Sequence, residues 1–217
     1  MRLQWKRTYM ARNFRKNLMR RADTIFGYRK FKTFKSKSID PLNKISPKGP
    51  WIFGSFALHR FYRHILNIEP HWQPNDIDYC VRNDIQYDML NTLLTEKAND
   101  ITVINELNVK HYICDDYTYQ LGGGRPLHVV NRFDWHILDI NQVAHDGEQF
   151  FVLKTAIPNI KNFRFKVDRT LLDKKSHQYN KWKDEHNGKA NLTLEEGPLS
   201  NRQHEIDKWL KRGFGQI

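Results

Sequence analysis

Cysteine is nearly absent from this chain. Its 217 residues hold only Cys80 and Cys114, too few for a disulfide framework. Both sit in apolar, strand-like runs, which predicts reduced, buried thiols and an intracellular setting: cytoplasm, an organelle matrix or a virion. Long apolar runs are missing too. None approaches the roughly 18 residues a membrane-spanning helix needs, and nothing reads as a secretory signal, so no membrane partner is expected. Internal repeats and low-complexity tracts are also lacking. A hydrophobic content of 39% with 13% aromatics excludes a disordered chain and suits one folded core with an appendage.

Acid is what the first segment lacks. Residues 1–37 carry 13 Lys/Arg against Asp23 alone, while the other 180 residues balance 23 Lys/Arg with 23 Asp/Glu. The formal net charge of +12 therefore resides in an N-terminal arm. Such a block favours polyanions through counterion release. Arg2, Lys6, Arg7, Arg12, Arg15, Lys16, Arg20 and Arg21 are the candidate nucleic-acid-binding residues. Trp5, Tyr9, Phe14, Phe26, Tyr28, Phe31 and Phe34 are interleaved with the basic residues to stack on bases or pack on the body. An organelle-targeting segment, Arg-rich and nearly acid-free, and a solvated amphipathic helix are the competing readings.

Residues 3–22 contain no helix breaker and read as a basic helix, followed by an irregular aromatic and basic stretch to about Lys37. "SKSIDPLNKISPKGP" (36–50) is a linker by composition. The expected organisation is a basic arm and linker over 1–46, a core over 47–165 and a helical C-terminal tail over 166–217. In the core, "WIF" is a short strand, Gly54 a turn and Ser55 an N-cap, followed by Ala57, Leu58, Phe61, Tyr62 and Ile65 at helical spacing. Ile85, Met89, Leu90, Leu93 and Leu94 mark a second helix. Short β-like runs follow at 101–104, 111–115, 126–130 and 135–143. Ser200 caps a last helix carrying Ile206, Trp209 and Leu210, closed by Gly213. This order argues for an α+β or mixed α/β domain.

The run "NDIDYCV" carries the chemistry. On a strand, Asp76 and Asp78 share one face, while Ile77, Tyr79 and Val81 face a core. Two adjacent carboxylates repel unless a cation sits between them, so the pair is either a solvated strand edge or half of a metal site. A same-face pair is a good ligand set for Mg²⁺, which takes one or two carboxylates and leaves its other positions to water and phosphate oxygens. Two such ions would clamp the oxygens of an in-line phosphoryl displacement, which needs a third carboxylate. Asp139, in "HILDINQV", is the first candidate and Asp134, in "RFDW", the competitor. Upstream, Gly54 lets backbone approach a phosphate, and Ser55 with the amides of a helix N-terminus completes an anion site. Arg60 and Lys110 are weaker phosphate candidates. Trp72 suits packing of its loop more than base stacking, and His59, His64 and His71 read as surface or loop histidines.

Together, "GSFALHRF", "NDIDYCV" and "ILDINQV" resemble the nucleotidyltransferase superfamily with the DNA polymerase β-type palm. Its pattern is Gly-Ser opening a helix, alternating aspartates on a strand, and a third acid on a later strand. The resemblance covers about residues 51–150 and implies a mixed β-sheet flanked by helices. It implies that Asp76, Asp78 and Asp139 hold two Mg²⁺ (Mn²⁺ as a substitute), with Gly54 and Ser55 on the triphosphate of an NTP. The third acid would then be the base or metal bridge for an acceptor hydroxyl. Here Gly54 lies 22 residues before Asp76, a longer gap than in the minimal members. The expected activity is transfer of a nucleoside monophosphate to a hydroxyl acceptor, RNA first among the candidates given the basic arm. The alternatives are a non-catalytic nucleic-acid-binding component, in a ribonucleoprotein or virion, and the toxin or antitoxin branch of the same superfamily.

Overall fold

Strand-forming runs separated by polar turns dictate a sheet, and the computed structural model shows how it closes. It describes residues 31–42, 50–81, 83–104, 109–122, 136–174, 176–177 and 203–217. The basic residues Arg2 to Arg21, the acid Asp134, the run 126–130 and the expected cap Ser200 lie outside the described residues.

The described strands are β1 (Phe31–Lys35), β2 (Trp51–Phe53), β3 (Asp76–Cys80), β4 (Asp100–Ile104), β5 (Val109–Ile113), β6 (Thr118–Gly122), β7 (Val143–His145) and β8 (Gln149–Leu153). They form one sheet in the order β1-β8-β7-β2-β3-β6-β5-β4. Its pairs are antiparallel except β3 with β6, which run parallel. The helices are α1 (Gly54–Phe61), α2 (Asp84–Lys97), α3 (Ile157–Lys161) and α4 (Gln203–Lys211). A short parallel pair joins β9 (Arg164–Phe165) to β10 (Gly215–Gln216). The architecture is α+β, a mixed sheet flanked by helices. No described helix is long and apolar enough to cross a membrane.

Alternation on β3 sets the two faces of the sheet. Ile77, Tyr79 and Val81 join the main core, with Phe56, Leu58, Phe61 and Tyr62 from α1 and the turn after it. Cys80 points the other way into a smaller cluster with Phe31, Phe53, Ala144 and Phe151. α1 is buried along almost its whole length, with Arg60 as its one partly exposed residue. Each fully buried large apolar side chain of this kind contributes about 1.5–3 kcal/mol. On α2 only Leu90 and Leu94 are buried, and Ile85 and Met89 are exposed.

Three local expectations are corrected. Phe31–Lys35 falls within the stretch that composition gives to the arm, yet it is an edge strand paired with β8, Phe31 opposite Leu153. Phe31 is buried in the smaller cluster and Phe34 meets Phe61 edge-on at 5.1 Å, while Lys32 and Lys35 stay exposed; edge lysines also discourage pairing with other chains. The run 135–143 is not one strand: Leu138 bridges Val167, Asp139–Asn141 make a 3₁₀ turn, and only Val143–His145 enters the sheet. The tail is not wholly helical, since it ends on β10, with α4 closed by Gly213 at φ 79°.

His64 and His71 are exposed as expected, but His59 is 1% exposed with neither ring nitrogen hydrogen-bonded among the described residues. Burial, with Arg60 and Arg63 adding repulsion, pushes its pKa down to about 4. His145 is likewise pushed down to about 4 by burial. Both folded values lie below the ordinary 6.5. The unfolded chain therefore binds more protons between about pH 4 and about pH 6.5, and stability must fall as pH drops through that window. Urea midpoints measured across it should decline with acidification, and His59→Phe should flatten the decline. A midpoint unmoved over the same range would mean that these histidines are not buried neutral.

Candidate active site

β2 delivers the chain to a turn at Gly54, and α1 starts there with φ of +73° at the glycine. Phe53 pairs with Asp78 across β2 and β3, so the carboxylate of Asp78 lies over the turn. A Cβ placed on Gly54 would stand 2.6 Å from Asp78 Oδ2. Glycine is thus required twice, by the left-handed backbone and by the space the carboxylate occupies. Ser55 is not the N-cap expected from sequence. Phe53 holds that place without a side-chain bond, and the Ser55 hydroxyl instead donates to Asp76 Oδ1 at 3.3 Å. Gln120, on the parallel neighbour β6, donates to Asp76 Oδ2 at a long 3.5 Å.

Asp76 and Asp78 are both half-buried on the same face of β3. The structure therefore brings together four of the expected site residues: Gly54, Ser55, Asp76 and Asp78. The donor set fits a hard divalent cation, being two same-face carboxylates beside a hydroxyl at an open turn.

Asp139 is not drawn into that group. It opens the 3₁₀ turn, where Oδ2 accepts from Asn159 Nδ2 at 2.6 Å and Oδ1 from the Lys166 backbone N–H at 2.8 Å. Burial raises its pKa, and those two hydrogen bonds oppose the rise. Among the described residues no three His, Cys, Asp or Glu side chains gather as a metal cage. Asp139 is half-buried between its apolar flanks, and its carboxylate ties α3 and the residue after β9 to the turn. Nor do Arg60 and Lys110 reach the pair. Arg60 lies over the Phe56 ring at 4.9 Å, and Lys110 Nζ donates to Asn91 Oδ1 at 2.8 Å.

Trp72 is 6% exposed and packs edge-on against His59 and Trp209, each at 5.1 Å, which leaves no face for a base. Sequence reasoning missed Arg212, whose Nη2 donates to the Gln73 carbonyl at 3.2 Å and whose guanidinium lies 4.4 Å from the Trp72 ring centroid. Only the proximity of Gly213 to the end of α4 hinted that this stretch turns back onto the body.

Gly54→Ala should lower stability by about 1–2 kcal/mol from the left-handed backbone alone, with displacement of Asp78 in addition; chemical denaturation measures the first effect. Asp139→Asn sets an amide N–H against a donor and should cost about 1–3 kcal/mol of stability; a urea midpoint equal to that of the wild type would mean that Asp139 does not hold those two donors.

No family model matches the chain, and no curated protein does. Solved structures do resemble it. A CCA-adding enzyme with CTP is similar over 75% of this chain and 40% of its own, at 13% identity and a TM-score of 0.42. The Thermotoga maritima CCA-adding enzyme complexed with tRNA covers 75% of this chain and 39% of its own, at 14% identity and a TM-score of 0.43. An apo tRNA-processing enzyme covers 75% and 53%, at 12% identity and a TM-score of 0.41. This chain spans from 39% to 53% of the length of those three. The chain's own features at this place are a mixed sheet, a helix that opens at Gly54-Ser55 and an aspartate pair on the adjoining strand.

Proposed function

We propose that this protein is a metal-dependent nucleotidyltransferase that moves a nucleoside monophosphate from an NTP to a hydroxyl of RNA. One observation carries the reading: Asp76 and Asp78 stand half-buried on one face of β3, one bonded by Ser55 and the other lying over Gly54. Two carboxylates on one face repel each other unless a cation sits between them, and the start of α1 beside them offers backbone N–H groups to a phosphate.

In this reading Asp76 and Asp78 hold the Mg²⁺ ions, which when bound neutralise charge on the phosphate oxygens. Gly54 and Ser55 receive the triphosphate, through backbone N–H groups at the start of α1 and the Ser55 hydroxyl. The acceptor hydroxyl oxygen forms a bond to the α-phosphorus, the α–β bridging P–O bond breaks, and pyrophosphate departs with that electron pair. A third carboxylate takes the hydroxyl proton. Asp139 already accepts from Asn159 and Lys166, which favours Asp134 for that part. The basic residues Arg2, Lys6, Arg7, Arg12, Arg15, Lys16, Arg20 and Arg21 hold the acceptor RNA by its phosphates. Charge balance in the rest of the chain supports that division of labour.

Transfer of α-³²P label from each of the four NTPs to RNA and protein, with Mg²⁺ or Mn²⁺, tests the proposal. Label should enter RNA with the wild type and fall to background in the Asp76→Ala/Asp78→Ala variant. Label in protein instead would move the acceptor to a protein hydroxyl. No transfer, with RNA binding that survives the double substitution and is lost on deletion of residues 1–37, would replace the enzyme with a binding component.

A further inference from the structure

Arg212 is a charged side chain only 9% exposed, and its Nη1 has no hydrogen-bond partner among the described residues. Its guanidinium lies 4.4 Å from the Trp72 ring centroid and 4.8 Å from that of Trp209. Burial pulls its pKa down to about 10, and the Asp76 carboxylate pulls the other way. A buried cation costs several kcal/mol unless its surroundings compensate it. The compensation here comes from aromatic faces, one carbonyl and an acid of the candidate site.

Arg212 touches the loop that feeds β3 at two places, the Gln73 carbonyl and the Trp72 ring. Nη2 donates to the carbonyl of Gln73, three residues before Asp76. Trp72, next to Gln73, is wedged against Trp209 and Phe214 of the C-terminal segment and against His59 of α1. A Cβ on Gly213 would stand 3.4 Å from the His71 ring, so the chain passes close over the loop there as well. α1 is also the helix that presents Ser55 to Asp76. The helix bearing the hydroxyl and the loop bearing the carboxylate therefore meet on one aromatic cluster, with Arg212 bonded to the loop's backbone.

We propose that Arg212 is a positioning residue for the candidate metal site, fixing residues 71–75 so that Asp76 enters β3 with its carboxylate on Ser55. This rests on the metal reading of Asp76 and Asp78. Arg212 acts through the loop and touches neither metal nor substrate.

Mn²⁺ binding to the full-length chain, followed by electron paramagnetic resonance, tests this with Arg212→Met, Arg212→Lys and, as a control, Asp76→Asn. Positioning and simple charge have opposite signs. Removing a positive charge beside a cation site tightens cation binding, whereas a misplaced Asp76 weakens it. Arg212→Met should weaken Mn²⁺ binding about 10-fold or more, as loss of an outer partner of a metal ligand does. Arg212→Lys, which keeps a charge and a donor for Gln73, should recover part of the loss. Thermal melts and near-ultraviolet circular dichroism accompany each variant. Should Arg212→Met not fold, Trp209→Phe, which narrows the platform under the guanidinium, is judged by the same criterion. Unchanged or tighter Mn²⁺ binding in a folded variant overturns the proposal while leaving the metal site standing. Wild-type binding no stronger than that of Asp76→Asn overturns the metal site and the proposal together.

Discussion

The carboxylate of Asp78 occupies the space that a side chain at position 54 would need, and much of the molecule is arranged around that close approach. Because residue 54 is glycine with φ of +73°, β2 can end and α1 begin without a gap. α1 then drops straight into the core, where Phe56, Ala57, Leu58 and Phe61 are almost wholly buried. The same turn aims Ser55 at Asp76 and not at its own helix. A bulkier turn would move the helix, and with it the packing of the sheet's core face and the approach of the two carboxylates.

A second constraint comes from the aromatic cluster at the far side of α1. His59, Trp72, Trp209 and Phe214 lie with ring centroids about 5–6.5 Å apart, spacing at which aromatic pairs add about 0.5–1.5 kcal/mol each beyond burial. Here several polar atoms are deprived of water without gaining partners among the described residues: both nitrogens of His59, the indole nitrogen of Trp72 and one nitrogen of Arg212. Such groups are expensive to bury. They are tolerated here beside a dense set of apolar contacts, and they lie next to the candidate site, where structures commonly accept local cost.

Much of this was legible in the sequence where period alone decides. The alternation in "NDIDYCV" gave the strand, its two faces and the shared orientation of the aspartates, because a side chain on a strand has only two directions to take. Gly-Ser before a helical pattern gave the turn. β1 was hidden because its two phenylalanines are three apart and pack on opposite faces of the sheet, so no alternation shows through the lysines. At Asp139 apolar neighbours signal shelter of an acid but not what the acid bonds to; Asn159 and Lys166 lie 20 and 27 residues further on. His59 carried no local mark, and Arg212 only the glycine that follows it. Whether a basic residue is buried depends on partners distant in sequence, and Arg212 meets Gln73 across 139 residues.

That separation has a consequence for the order in which the molecule is made. Synthesis runs from the N-terminus, so the Gly-Ser turn and the aspartate strand leave the ribosome long before Trp209, Arg212 and Phe214 exist. β1 must likewise wait for β8, more than 100 residues later, before its backbone is paired. Contacts of such long range close slowly, since the entropy of the intervening chain is lost before they form. A nascent chain thus carries the complete motif for a time without the segment that grips it. The carboxylate loop reaches its final setting only when translation has passed residue 214.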